Sequence, residues 1–223
     1  MATSGAISLS PDATEFAEEA FVRCGIQLRA GYDNQTSRRS MNFILTHWAN
    51  RGINLWAVKQ RQLPLVTGQA EYSLPADIID VISATILRDD ADINIGRISR
   101  EEFLNISNKA SQGRPSQWYV HRGADFPVLN LFLTPENSTD IFKYNAMVRI
   151  QDISKAIDEV HVPFRFYEAF VAGVAYHISV KRAPDKVAML KAMYDEAFAE
   201  AAAEDRDRAP LKIIPDVSAY YRV

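Results

Sequence analysis

The stretch Gly68-Gln69-Ala70-Glu71-Tyr72-Ser73-Leu74-Pro75-Ala76-Asp77-Ile78-Ile79-Asp80-Val81 decides the fold class, because two extended runs meet there at a proline. Tyr72-Ser73-Leu74 closes one strand before Pro75, which neither donates to a sheet ladder nor continues a helix, and Ile78 opens the next. The same grammar repeats over residues 53–150: apolar runs at 58–66, 70–74, 78–87, 117–121, 128–133 and 141–148. Thr67-Gly68, Pro75, Asp89-Asp90, Gly123-Ala124-Asp125 and Pro135-Glu136-Asn137 separate them. This predicts an antiparallel β subdomain. Inside it Ser99-Arg100-Glu101-Glu102 is a capping box, which predicts a short helix over residues 99–108.

Outward from this insert the period becomes helical. Ser10-Pro11-Asp12 reads as a cap with proline at the first helical position, followed by Ala13, Phe16, Ala17, Ala20, Phe21 and Cys24 on one stripe. Gly25 ends that helix, residues 31–34 read as a turn, and Met41, Ile44, Leu45 and Trp48 mark a second helix that stops at Gly52. After Asp158, Tyr167, Phe170, Val171, Val174, Ala175 and Ile178 form one stripe, and Val187, Leu190, Met193, Ala197, Phe198 and Ala201 another. The expectation is an α+β chain: a four-helix bundle body with an inserted antiparallel β subdomain and an extended C-terminal tail. Its parts are a helical hairpin at 1–52, the β subdomain at 53–150, a helix pair at 151–209 and the tail at 210–223.

With 223 residues, 48% hydrophobic, the chain has an ordinary globular composition and enough length for a core, as one domain with an insertion or as two small ones. Its 25 basic and 28 acidic residues give a net charge of −3, which offers no overall footprint for tight nucleic-acid binding. The single cysteine, Cys24, rules out an internal disulfide and reads as a small buried hydrophobe, as suits assembly in a reducing cytoplasm. Residues 1–7 lack the pattern of a signal peptide, and no window approaches about 18 uncharged apolar residues, so neither a signal peptide nor a membrane span is expected.

Motifs of catalysis are missing. His47, His121, His161 and His177 lie on different elements, with no pair at ligand spacing, so no metal site is expected. There is no GxSxG elbow, phosphate loop or dinucleotide fingerprint, hence no cofactor. The acidic pairs Glu18-Glu19, Asp89-Asp90 and Glu101-Glu102 leave a hydrolase as an alternative, though neighbours on a helix point apart. Arg38, Arg39, Arg51, Lys59 and Arg61 gather in sequence around the second helix, where they suit subunit contacts or phosphates equally well.

Residues 210–223 carry two prolines, which exclude a continuous helix, and Leu211, Ile213, Ile214, Val217, Tyr220, Tyr221 and Val223 make the segment too apolar for a solvated terminus. It either folds back on its own domain or reaches a neighbouring subunit or another protein.

The phrase quoted at the outset, then Ile98-Ser99-Arg100-Glu101-Glu102-Phe103, Gly113-Arg114-Pro115-Ser116-Gln117-Trp118-Tyr119-Val120 and Leu131-Phe132-Leu133-Thr134-Pro135, resembles the head-to-tail adaptor, or tail tubular, proteins of short-tailed bacteriophages. The resemblance covers residues 10–215, and its specificity lies in the order of the phrases. It implies a non-enzymatic virion protein at the head-tail junction, assembled in the host cytoplasm. It further implies a homo-oligomeric ring of twelve copies beneath the portal protein, a channel for transient passage of double-stranded DNA, and a distal face for tail nozzle or tail fibre proteins. In this reading the tail grips the portal through Leu211, Ile213, Ile214, Pro215, Tyr220, Tyr221 and Arg222, the large apolar side chains being worth about 1.5–3 kcal/mol each before ordering costs. A stopper that does not touch the portal is the other virion reading.

Overall fold

The computed structural model describes residues 9–29, 31–52 and 55–205. Helix α1 (Ala13–Cys24) and helix α2 (Gly31–Asn50) precede strands β1 (Val58–Pro64), β2 (Glu71–Ser73), β3 (Ile78–Arg88), β4 (Ala91–Asn94) and β5 (Gly96–Arg97). Helix α3 (Arg100–Asn105) follows, then β6 (Gln112–Gly113), β7 (Gln117–Arg122), β8 (Pro127–Phe132), β9 (Thr134–Pro135) and β10 (Ile141–Val148). Helices α4 (Tyr167–Arg182) and α5 (Val187–Glu204) complete the described residues.

The expected capping box of α3 forms: Glu102 N–H donates to Ser99 Oγ at 3.2 Å and Ser99 N–H to the Glu102 carboxylate at 2.6 Å. The helix stops at Asn105, short of the residue 108 expected. At α1 the start differs too, because Asp12 is the cap and Pro11 lies outside the helix. Asp12 Oδ1 accepts from Glu15 N–H at 2.9 Å and Glu15 answers at 3.1 Å, a reciprocal pair that Ser10 does not make. Helix α2 begins at Gly31, within the stretch read as a turn; the Asp33 carboxylate accepts from Arg29 N–H at 3.3 Å and pairs with Arg182.

Two buried clusters divide the core. One lies among α1, α2, α4 and α5, the other within the β region. The β region is two small sheets facing each other, ordered β1-β10-β3-β4 and β2-β8-β7-β5, with a two-stranded β6-β9 ladder beside them. The antiparallel β subdomain expected is thus built as two layers, and its β5-β7 and β6-β9 pairings are parallel. Strand β10 shows why the layers close: its side chains alternate, burying Phe142, Tyr144, Ala146 and Val148 against Trp118, Leu129 and Leu131 of the opposite sheet. Asp89 and Asp90, both at positive φ, form the tight turn that returns β3 into β4, a strand missed because its exposed residues carry no apolar alternation.

The four-helix bundle body is a correction. The chain is α+β with five helices and several sheets among the described residues, but its helices do not form a bundle. In a bundle each helix contributes one stripe to a shared seam. Here residues 169–175 of α4 are buried without a break, so this stretch of α4 is apolar all round and serves as the axle of the layer. Helix α1 meets it edge-to-face through Phe16 and Phe170, ring centres 5.1 Å apart. Helix α2 brings Trp48 to Phe170 at 5.8 Å, and α5 lays Tyr194 over Gly173, where an added Cβ would stand 2.9 Å from the ring. The stripe read for α4 named five of the nine residues it buries, leaving out Ala169, Ala172, Gly173 and Ser179, which are small and lie off it. On α5 the buried line is Leu190, Tyr194, Phe198 and Ala201, while Met193 is exposed. Tyr194 takes the inner place because its hydroxyl accepts the Trp48 indole N–H at 3.0 Å.

Candidate functional site

The chain leaving β10 crosses from the β layers to the helices and creates a groove along α2. Arg149 N–H donates to Asp77 O at 2.7 Å, which fixes the exit from the sheet. Asn42 then clamps the chain in both directions, donating to Ile153 O at 3.1 Å and accepting from Ile153 N–H at 2.9 Å. Beyond it the Asp158 carboxylate accepts from Ser154 N–H, Ser154 Oγ and Lys155 N–H within 2.9 Å, and these bonds hold it below the usual carboxylate range. The loop ends by lying on α1, where Ala13 and Thr14 N–H donate to Asp158 O and Ala156 O.

Between this loop and α2 lies a depression of about 490 Å³ lined by Gln35, Arg38, Arg39, Phe43, Arg149 and Asp152 among others. It runs into a second of about 190 Å³ through the shared Thr46, Arg149 and Asp152. The groove is lined by three cations, Arg38, Arg39 and Arg149, with Phe43 and Ile153 as its apolar part. Arg38 donates to Ser154 O, and Arg149 pairs with Asp152 at 2.8 Å. Arg39 is in no ion pair among the described residues, and its charge adds to burial in lowering the pKa of Lys181.

The five basic residues singled out from the sequence are thus split three ways. Arg38 and Arg39 share the α2 groove. Arg51, past the end of that helix, stacks its guanidinium over the Phe198 ring at 4.7 Å. Arg61 makes a two-pronged pair with Asp77 at 3.1 and 2.5 Å, which holds the Asp77 carboxyl below its ordinary range; Lys59 lies on the same strand. Arg149 and Phe43 were missed. Phe43 was legible as an aromatic residue off the buried stripe of Met41, Ile44, Leu45 and Trp48, whereas Arg149 comes to α2 only through the fold.

The acidic pairs have separate structural uses. Glu19 pairs with Arg23, Asp89-Asp90 forms the β3-β4 turn, and Glu102 caps α3. Burial keeps His161 and His177 below the ordinary imidazole pKa, with Lys59 acting on the first and Lys181 and His47 on the second. Cys24 is buried, its thiol raised by desolvation and 3.3 Å from Ala175 O. Among the described residues no three His, Cys, Asp or Glu side chains gather as metal ligands, and no helix is long and apolar enough to cross a membrane. Leu211, Ile213, Ile214, Pro215, Tyr220, Tyr221 and Arg222 lie outside the described residues.

A family model described as SU10 adaptor protein matches residues 22–214, from the end of α1 through α5 and into the C-terminal segment. No curated protein matches the chain.

Proposed function

Because the chain belongs to the SU10 adaptor protein family, a family of structural bacteriophage proteins, we propose that it is the head-to-tail adaptor of a short-tailed phage. The family gives the chain a structural rather than a catalytic role and makes it a virion component. The finer reading is that copies form a ring below the portal, continue the DNA channel and offer the tail its attachment site. The observation that carries it is the family match, which spans α2, α4 and α5 of the helical layer, both β layers and the start of the C-terminal segment.

Three features support it. The net charge of −3 suits a channel through which DNA must slide, since each neutralised phosphate adds affinity and a ring multiplies the effect. Eight arginines of the described residues are paired with carboxylates, among them Arg61 with Asp77 and Arg88 with Asp140 and Glu136. The apolar, proline-stiffened residues 210–223 supply a grip on another protein, with Leu211, Ile213, Ile214, Pro215, Tyr220, Tyr221 and Arg222 as its anchors.

Co-sedimentation with the cognate portal ring tests this reading, using the full chain and a chain ending at Ala209. The full chain is expected to pellet at one fixed stoichiometry and the shortened chain to stay in solution. Equal binding by both removes the tail from the joint. Binding by neither moves the chain below an adaptor, as a stopper.

A further inference from the structure

Two helical seams in this chain face away from their own core and differ in charge. On α1 the outward line is Glu15, Glu18 and Val22, with Val22 68% exposed. Beside it a groove of about 540 Å³ opens between α1 and the first turns of α4. Arg23, the only cation of α1, is committed to Glu19 and Glu168 at 3.0 and 2.6 Å, so it does not neutralise Glu15 or Glu18. On α2 the outward line is Tyr32, Arg39 and Phe43, with Tyr32 69% and Phe43 56% exposed. The only carboxylate of α2, Asp33, is buried and paired with Arg182.

The α1 line runs at three- and four-residue spacing, and the α2 line does so once the exposed Gln35 between Tyr32 and Arg39 is included, the spacing by which one helix offers a face to another. The α1 seam is about 10 Å long and fits within the roughly 16 Å from Tyr32 to Phe43. One seam is acidic with an aliphatic residue and the other is basic with two aromatic ones. As two different patches on one molecule, they are complementary between copies. A contact of this kind is heterologous and closes into a ring when its rotation permits.

We propose that the α1 seam of one copy docks on the α2 seam of the next, setting Glu15 and Glu18 against Arg39 and Val22 against Phe43, with Tyr32 at the far end of the seam. The inference rests on the adaptor reading for its ring, and it adds the faces that build the ring. A DNA duplex is the competing occupant of the α2 seam. It would match Arg39 but would leave two exposed aromatic rings against phosphates and no role for the acidic seam, whereas a second copy satisfies both seams at once.

The test uses full-length chains carrying Glu18→Lys or Arg39→Glu, neither residue being a cap or in an ion pair among the described residues. Sedimentation velocity at low ionic strength reads self-association, and circular dichroism checks the fold. Wild type is expected to associate with rising concentration, each reversal to weaken association about tenfold or more, and a one-to-one mixture of the two variants to return to the wild-type level. The mixture recovers because alternating copies place Lys against Glu at one contact and the natural pair at the next.

Variants that associate as wild type does, a mixture no stronger than either variant, or a wild type that stays monomeric throughout overturns the assignment. So does an Arg39→Glu chain that loses retention on a non-specific duplex while self-associating normally, since the α2 seam is then a DNA contact. The portal co-sedimentation separates the two readings: portal binding without recovery on mixing sinks the seams alone, and recovery on mixing without portal binding sinks the adaptor reading alone.

Discussion

Gly173→Ala measures directly how tightly α4 is enclosed. In an open helix this change stabilises by about 1 kcal/mol, since glycine has more backbone freedom to lose. At Gly173 the new methyl would stand 2.9 and 3.1 Å from two ring carbons of Tyr194 and 3.3 Å from Ile44 Cδ1. The Ile44 tip can give way. The Tyr194 ring cannot easily do so: Trp48 holds its hydroxyl at 3.0 Å, Tyr176 stacks on it at 6.3 Å and Phe198 lies 5.8 Å away. Overpacking of this kind costs about 1–3 kcal/mol, so the net expected is a loss of about 1 kcal/mol, or about 2–4 °C in melting temperature.

Gly31→Ala is the internal control, with no atom within 4 Å of its added Cβ, and should be neutral or stabilise by up to about 1 kcal/mol. Urea unfolding of the two variants reads the difference. Adding Tyr194→Leu to Gly173→Ala should cancel the penalty of the added methyl when compared with Tyr194→Leu alone. A Gly173→Ala chain as stable as wild type or more so would refute the axle packing.

Tyr194→Phe leaves the buried Trp48 indole N–H without its acceptor and should cost about 1–2 kcal/mol in the same assay; a neutral result means that the bond is not held in solution. Asp140→Asn breaks a fully buried carboxylate pair with Arg88, whose nitrogens lie at 2.8 and 2.6 Å, with an expected loss of about 3–5 kcal/mol, and a loss below about 1 kcal/mol would contradict the pairing. Stability should also fall with pH. Burial depresses the pKa of His161 and His177, so below about pH 6.5 the unfolded chain binds protons that the folded chain still refuses, and stability declines until the folded pKa values are passed. Urea midpoints at about pH 7.5 and 5.5 should therefore converge in a His161→Gln, His177→Gln double variant, and an undiminished difference would assign the effect to other groups. Asp12→Ala should cost about 1 kcal/mol through loss of the α1 cap, whereas Ser10→Ala should cost nothing measurable by the same unfolding curves.

The sequence was most legible where one residue's chemistry sufficed. Ser99 and Glu102 cap α3 because the two side chains need only each other, and residues 141–148 form β10 at the bounds expected because alternation is local. It misled where size mattered more than hydrophobicity. Ala169, Ala172 and Gly173 look like the neutral side of an amphipathic helix, yet their smallness lets α5 approach α4 and turns a supposed bundle helix into an axle. The two-layer β body was also out of reach, since β5, β6 and β9 are two-residue ladders fixed by distant partners. At the α2 groove Arg38 and Arg39 were visible as a doublet, but the loop carrying Arg149 and Asp152 joins them only after Asn42 has clamped Ile153. Cationic residues close in sequence, Arg51 and Arg61, were drawn away by Phe198 and Asp77.

Antibody labelling of purified virions of the cognate phage, imaged by electron microscopy, tests the central claim most directly. The account predicts label confined to the single vertex where the head meets the tail. Label spread over the capsid or at the far tip of the tail, or virions carrying none of the chain, would contradict it.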